Sequence, residues 1–326
     1  MQGFRKHLGA GVAVISTILT VFPAAAGEYP VRKVRLVTPV SPGDSTERVV
    51  RLLANKLAVV FGQPVAVENA PGEEGAAAAR LVAKSGADGH TLLLADARLL
   101  ALDHQPIGNL DYDLKRDLVP VIYLATSPML LLVRADHPAR SAADFVSRAR
   151  RGREAPRFGS QGAGSFGHLA AQLLCVLAGM DLDRAVHEPG GETFKLLSSG
   201  RISFAFEHPS RALPLVKSGQ LRALAVSSAT RSTMLPALPT LDEAGLSGFD
   251  AAPWIGLLAP AETARAVITK LNGDLNLVLQ MQEVRETLPE HDFEPMGGLP
   301  EHFAAHIDRE TIRWRRVFRE SEWRSR

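Results

Sequence analysis

Gly162-Ala163-Gly164-Ser165-Phe166-Gly167 is a literal G-x-G-x-x-G between a short apolar run and an amphipathic one. Glycines at that spacing let backbone amides close on an anion at a helix start, the chemistry of phosphate or carboxylate docking. A dinucleotide site also needs an acid about 20 positions on, ending a second strand, and Asp181 and Asp183 are only loosely placed for it. Read from Ala163, the loop is Ala163-x-Ser165-x-Gly167, which lacks the first glycine of a nucleophile elbow. Ser160 and Ser165 are still the hydroxyls that an exported serine hydrolase of small esters would use. They equally suit hydrogen bonds to a ligand, and Ser165 suits a helix cap before His168. His302 and His306 stand at i, i+4, where both could face one metal, but Phe303 occupies the place of the zinc-protease glutamate. With Arg309, Arg313 and Arg316 they read as a solvated helix face. Cys175, in the run Leu173–Leu177, reads as a buried small hydrophobe. No metal and no cofactor is expected.

Short β-branched runs alternate with amphipathic ones, the pattern of an α/β protein with parallel sheets. Strands are expected at Val34–Pro39, Val65–Asn69, Thr91–Ala95, Val121–Ala125, Met129–Val133, Arg157–Ser160, Ile202–Phe206, Leu221–Val226 and Trp254–Leu258. Helices are expected at Glu47–Phe61, from the Ala-rich stretch to Lys84, from Ser141, and at His168–Ala178, Ala261–Leu279 and Pro300–Glu320. In the first, Val49, Leu53, Leu57 and Val60 make a buried stripe. Ligands of such sheets sit beyond the carboxyl ends of strands, where loops lead into helix starts. Ser41–Thr46, Ala70–Gly75 and Ser160–Gly167 are loops of that kind. Asp44-Ser45-Thr46-Glu47 has capping-box spacing, so Asp44 either satisfies helix amides itself or meets a ligand ammonium. Glu73 and Glu74 open the second helix, where acids suit the dipole or face a ligand.

The chain of 326 residues is long enough for two domains. Lys and Arg number 37 against 35 Asp and Glu, a balance that excludes a strongly basic nucleic-acid surface. One Cys excludes an internal disulfide and a cysteine-rich zinc site. Arg5 and Lys6, the apolar run Leu8–Phe22 and Ala24-Ala25-Ala26 form the three regions of a cleaved secretory signal peptide over 1–26. The mature protein is therefore expected in the periplasm.

Several short runs stand in a telling order: Tyr29-Pro30, Val34-Arg35-Leu36-Val37, Pro42-Gly43, Gly62-Gln63-Pro64-Val65, Val67-Glu68-Asn69, Pro71-Gly72 and Asp88-Gly89-His90-Thr91-Leu92. After them come Gly162-Ala163-Gly164-Ser165 with His168-Leu169, Leu221–Val226, Leu238-Pro239-Thr240, Glu243-Ala244-Gly245, Trp254-Ile255-Gly256 and Ala259-Pro260. From Tyr29 to about Trp314 the sequence resembles the substrate-binding receptors of tripartite tricarboxylate transporters, the Bug-type periplasmic receptors. The resemblance implies a two-lobed, type II-like periplasmic binding protein, each lobe a mostly parallel sheet flanked by helices, with a hinge between them. It implies closure on a small carboxylate with no covalent chemistry. The expected division is lobe 1 over 27–125, lobe 2 over 126–228, and a return to lobe 1 with C-terminal helices over 229–326.

Carried over, the first ligand loop supplies Ser41, Asp44, Ser45 and Thr46, and the second Gly72 and Glu73. The facing loop supplies Ser160, Gly164, Ser165 and His168, with His168 reaching the cleft or packing under it. Glu207 follows the strand Ile202–Phe206, either in the cleft or on a surface turn. Family members usually carry more glycines after Pro42-Gly43, then Thr and Asp, where Asp44, Ser45, Thr46 and Glu47 follow here, and an Arg where Ala70 stands. An aspartate about 4 Å from a ligand carboxylate costs about 1 kcal/mol in bulk water and about 4 at an effective dielectric near 20. An amino acid is thus weighed beside a plain carboxylate as ligand. The expected partners of a monomeric closed form are transporter membrane subunits or the outer domain of a sensor kinase.

Overall fold

The computed structural model describes residues 29–72, 75–102, 112–151, 156–162, 164–180, 185–187 and 192–324. The expected leader 1–26, Glu73, Glu74, Asp181 and Asp183 lie outside the described residues. Two sheets organise the chain. The first contains β1 (Val34–Thr38), β2 (Val65–Asn69), β3 (Thr91–Asp96) and β4 (Leu118–Thr126). The second contains β5 (Leu130–Arg134), β6 (Phe158–Ser160), β7 (Ala185–His187), β8 (Phe204–Glu207) and β9 (Leu221–Val226). β10 (Trp254–Pro260) and β11 (Glu294–Pro295) rejoin the first.

The strand orders are β2-β1-β3-β10-β4-β11 and β7-β6-β8-β5-β9. Both sheets repeat one plan. A parallel trio has its first strand in the middle. Beside it lies the strand that has just crossed from the other lobe, antiparallel to both neighbours. The sheets are thus mostly parallel, as expected, but mixed: β10, β11 and β5 run against the rest. β3 and β10 are buried along their whole length, which is why both read as continuous apolar runs.

The helices are α1 (Ser45–Phe61), α2 (Ala76–Ala83), α3 (Ala97–Leu102), α4 (Leu114–Asp117), α5 (Ala142–Arg151) and α6 (Phe166–Ala178). After them come α7 (Thr193–Ser198), α8 (Pro209–Lys217), α9 (Arg265–Gln280), α10 (Gln282–Glu290) and α11 (Pro300–Arg324). Val49, Leu53 and Leu57 of α1 are buried in the first core, with Val60 packed at its margin. Cys175 is buried in the second core, as its apolar neighbours imply.

The two crossings between sheets are zipped together. Ser127 N–H donates to the Pro253 carbonyl at 2.7 Å, Ser227 N–H to the Met129 carbonyl at 2.8 Å, and Met129 N–H to Ser227 Oγ at 2.9 Å. Such paired strands between two cores are a hinge. The stretch after Ser228 contributes to the second core. Leu241, Leu246 and Phe249 sit in the second core, where the Phe249 ring stacks on Phe206 at 6.0 Å. This stretch makes turns and no sheet strand, so its apolar side chains complete the nearest core. α9 and α10 pack in the first core through Leu271, Leu275, Val284 and Leu288.

α11 belongs to both lobes. Phe303 and Ile307 are buried with the first sheet, whereas Trp314 and Val317 are buried with the second. Of the solvated face expected for it, His302, Arg309 and Arg316 are exposed, but His306 is only 8 % exposed and the Arg313 side chain 15 %, because Tyr123 stacks on the one and Asp250 pairs with the other. Its crossing over β10 needs Gly256, where an added Cβ would stand 2.1 Å from Phe303 Cζ. Phe303 is wholly buried, 5.4 Å from the Trp254 ring and 5.7 Å from Tyr123, so it has little room to yield. Gly256→Ala is expected to lower stability by about 1–3 kcal/mol, as overpacking does. Urea unfolding checks this, and an unchanged midpoint would show that Phe303 swings clear.

Candidate functional site

The carboxyl ends of the parallel strands carry the expected residues. Beyond β1 the chain turns at Gly43, whose φ is 88°. Asp44 then takes the N-cap of α1, its carboxylate accepting from Thr46 N–H at 2.7 Å. Glu47, buried in the first turn, reaches back one residue further than a capping box and accepts from Gly43 N–H at 2.6 Å. Arg51 donates to the same carboxylate at 2.6 and 3.0 Å, and also reaches Asn69 at the end of β2. The Gly43 amide, followed by the Arg51 guanidinium, holds the Glu47 carboxyl below the usual range. An internal carboxylate thus occupies loop amides that a small anion would otherwise take. Ser41, Ser45 and Gly72 are exposed and Thr46 is half-buried; Glu73 is outside the described residues.

The capping assignment for Asp44 has a direct consequence. Asp44→Ala is expected to remove about 1 kcal/mol of stability through the lost N-cap. Urea unfolding measures it, and no loss would mean that the cap is dispensable.

In the second lobe the loop after β6 is tied to itself. Ser160 Oγ donates to the Gly162 carbonyl at 3.2 Å, and Ser165 Oγ donates to the same oxygen at 2.8 Å. Ser165 also caps α6, accepting from His168 N–H at 3.3 Å. Gly164 N–H donates to His168 Nδ1 at 3.0 Å, which puts the proton of a neutral ring on Nε2. The same ring stacks on Phe158 at 5.9 Å. Both hydroxyls point to a carbonyl oxygen rather than to an imidazole, so the hydrolase alternative finds no support in the geometry.

Glu207, 1 % exposed at the end of β8, is in the interior rather than on a surface turn. Arg211 donates to it at 2.9 Å, and Gln161 Nε2 lies 3.3 Å from one of its oxygens. Burial pushes its carboxyl up, against the pull of Arg211 and Gln161. The next residue, His208, is one that the sequence reading missed. Its Nδ1 lies 3.1 Å from Ser127 Oγ in the hinge. Burial, aided by Arg211, pushes the ring's pKa down, while Asp292 and Asp44 pull it up. Arg98, beyond β3, lies 5.3 Å over the Phe166 ring at the start of α6 and pairs with buried Asp96. Ser210, at the start of α8, donates through its N–H to Asp292 of the first lobe at 2.7 Å. A His-Pro step directly after a strand was the available signal for His208, because Pro favours the first turn of a helix.

The strand-end loops of both lobes thus carry buried acids already paired with arginines: Glu47 with Arg51, Asp96 with Arg98 and Glu207 with Arg211. No cluster of three potential metal ligands occurs among the described residues. No helix among them is long and apolar enough to cross a membrane.

Residues 49–322 match the family described as the tripartite tricarboxylate transporter family receptor. Protein BugT of Bordetella pertussis is 32 % identical over 308 residues, 94 % of each chain. A structure of an R. palustris protein with adipate is 33 % identical and has a TM-score of 0.69, covering 90 % of this chain and 98 % of that one. MatC from Rhodopseudomonas palustris with bound malate is 30 % identical with a TM-score of 0.65, covering 89 % of this chain and all of that one. Two sheets joined by paired crossings and a match over most of the length agree: the chain belongs to the family of tripartite tricarboxylate transporter receptors, the Bug-type solute-binding proteins.

Proposed function

We propose that this protein is a periplasmic receptor that captures a small carboxylate in the inter-lobe cleft and releases it unchanged. The observation that carries the reading is the approach of strand-end elements from the two lobes, Arg98 beyond β3 lying 5.3 Å over the Phe166 ring at the start of α6. The family match and the adipate- and malate-bound relatives support the ligand class. Binding acts by population: a ligand touching Ser160–His168 and the loop after β1 together gains its second set of contacts only on closure. The closed monomer is then read by transporter membrane subunits or a sensor's outer domain. Export would follow from the signal peptide at 1–26.

Asp44 and the internally occupied amides of α1 favour an unequal pocket. The ligand carboxylate seats toward the α6 loop, and a hydroxyl or ammonium seats toward Asp44. Thermal unfolding against adipate, malate and amino acids tests this. A ligand at 100 times its Kd adds about 2.7 kcal/mol, a shift of several degrees. Stabilisation by adipate or malate supports the carboxylate reading. Stabilisation by amino acids alone moves the cargo class and makes Asp44 the ammonium partner. No shift with any of them overturns the proposal.

A further inference from the structure

Beside the hinge lies a cavity of about 480 Å³. Tyr123 and Glu294 line it from the first lobe, Asp250 from the segment packed on the second, and α11 lines it throughout. None of the cleft residues described above belongs to its lining. α11 contributes His302, His306, Arg309 and Arg313, at i, i+4, i+7 and i+11, a single helix face.

The polar groups here are unevenly satisfied. Glu294 accepts from the Ser232 hydroxyl and from Thr233 N–H at 3.3 Å. Asp250 accepts from Ala229 N–H at 3.2 Å and from Arg313 at 3.4 Å. Asp242 accepts from Gly248 N–H at 2.7 Å. The basic side differs. Among the described residues, the side chains of His302 and Arg309 have no hydrogen bond or ion pair, and the buried Nε2 of His306 has no partner. His306 is held in place by stacking on Tyr123 at 4.6 Å, and burial, with Arg309 and Arg313 nearby and Asp250 opposing, pushes its pKa down to about 4. A neutral ring still offers one N–H. The buried polar atom of this cavity without a partner is His306 Nε2, with the unpaired His302 and Arg309 side chains exposed on the same helix face, and a bound acceptor would relieve it while drawing on both neighbours.

We propose that this cavity is a second binding site, for a small oxyanion held by Arg309, His302 and His306. Both lobes and α11 wall it, so occupancy changes the balance between open and closed forms. Cleft ligand and oxyanion would then alter each other's affinity by one and the same factor. The coupling half rests on the receptor reading above; the binding half does not.

Histidine NMR on the mature protein tests both, with inorganic phosphate and acetate as separate arms that distinguish a phosphoryl from a carboxylate ligand. His302→Gln and His306→Gln assign the ring signals. At least one anion is expected to shift both rings and to raise the titration midpoint of His306. Arg309→Gln, an exposed site, is expected to fold normally and to weaken that anion by about ten- to a hundredfold, the loss of a charge-assisted hydrogen bond. Ring signals unmoved by either anion, or moved equally in Arg309→Gln, would overturn the site. Ring shifts that leave malate and adipate affinity unchanged would keep the site and overturn the coupling. Absence of any cleft ligand would fail the receptor reading alone.

Discussion

Glu310→Ala is expected to lower stability by about 3–5 kcal/mol, the range for removing one member of a buried charged cluster. Glu310 is 2 % exposed on α11. Its carboxylate accepts from the indole N–H of Trp314 at 2.9 Å and of Trp254 at 3.3 Å, and it pairs with Arg313. Trp254 lies in β10 of the first lobe and Trp314 packs in the core of the second, so one side chain serves donors from both. Alanine would leave two indole N–H groups without their acceptor and Arg313 with Asp250 as its remaining partner, and each such loss carries its own desolvation penalty. Glu310→Gln keeps an acceptor for the indoles and should lose less. Urea unfolding of both variants checks the order, and equal stability of the alanine variant and the wild type would refute it.

Acid is expected to weaken the fold through His306. Its pKa stands at about 4 against an ordinary 6.5 because burial, with Arg309 and Arg313 close by, disfavours the charged ring. The unfolded chain therefore binds the proton first as pH falls. The stabilisation is complete above about 6.5, is lost progressively below it, and is gone below about 4; over that window it amounts to roughly 3 kcal/mol. Carboxylates titrate in the same range, so the informative quantity is the difference from His306→Gln. Unfolding free energies at pH 7 and pH 4.5 should fall less in the variant. Parallel pH profiles would mean that the ring takes up its proton in the folded state as readily as in the unfolded chain.

What could be read in advance divides along a physical line. β3 and β10 are buried on both faces, and their apolar runs mark them in the sequence. β7 and β11, three and two residues long, form because a neighbouring edge is available to pair with, which no local pattern records. α8 carries Pro209 in its first turn and Pro214 in its interior, where a proline removes a helical hydrogen bond, so its local sequence does not mark a helix. In the structure its start is met by Asp292, 82 residues away. The loops of the site were legible from their strand–glycine–helix punctuation, and Asp44 and Ser165 do cap α1 and α6. His208 was not, since its hydrogen-bond partner Ser127 comes from the hinge, 81 residues earlier. The periodicity of α11 put His302, His306, Arg309 and Arg313 on one face. Whether water or another lobe covers that face is decided by tertiary packing alone.

The double anchoring of α11 also bears on how the chain reaches its native state. Phe303 completes one core and Trp314 the other, on a single helix of 25 residues that ends the described chain. The first sheet is already discontinuous, waiting for β10 to enter between β3 and β4. Until α11 docks, both lobes present uncovered aromatic-sized hollows to solvent, and neither can be finished ahead of the other. Such contacts between distant parts of a chain close late and slowly, and the species that precede them are prone to aggregate. The last long helix therefore acts as a common keystone: the two lobes should refold in one joint final step and melt as one cooperative unit.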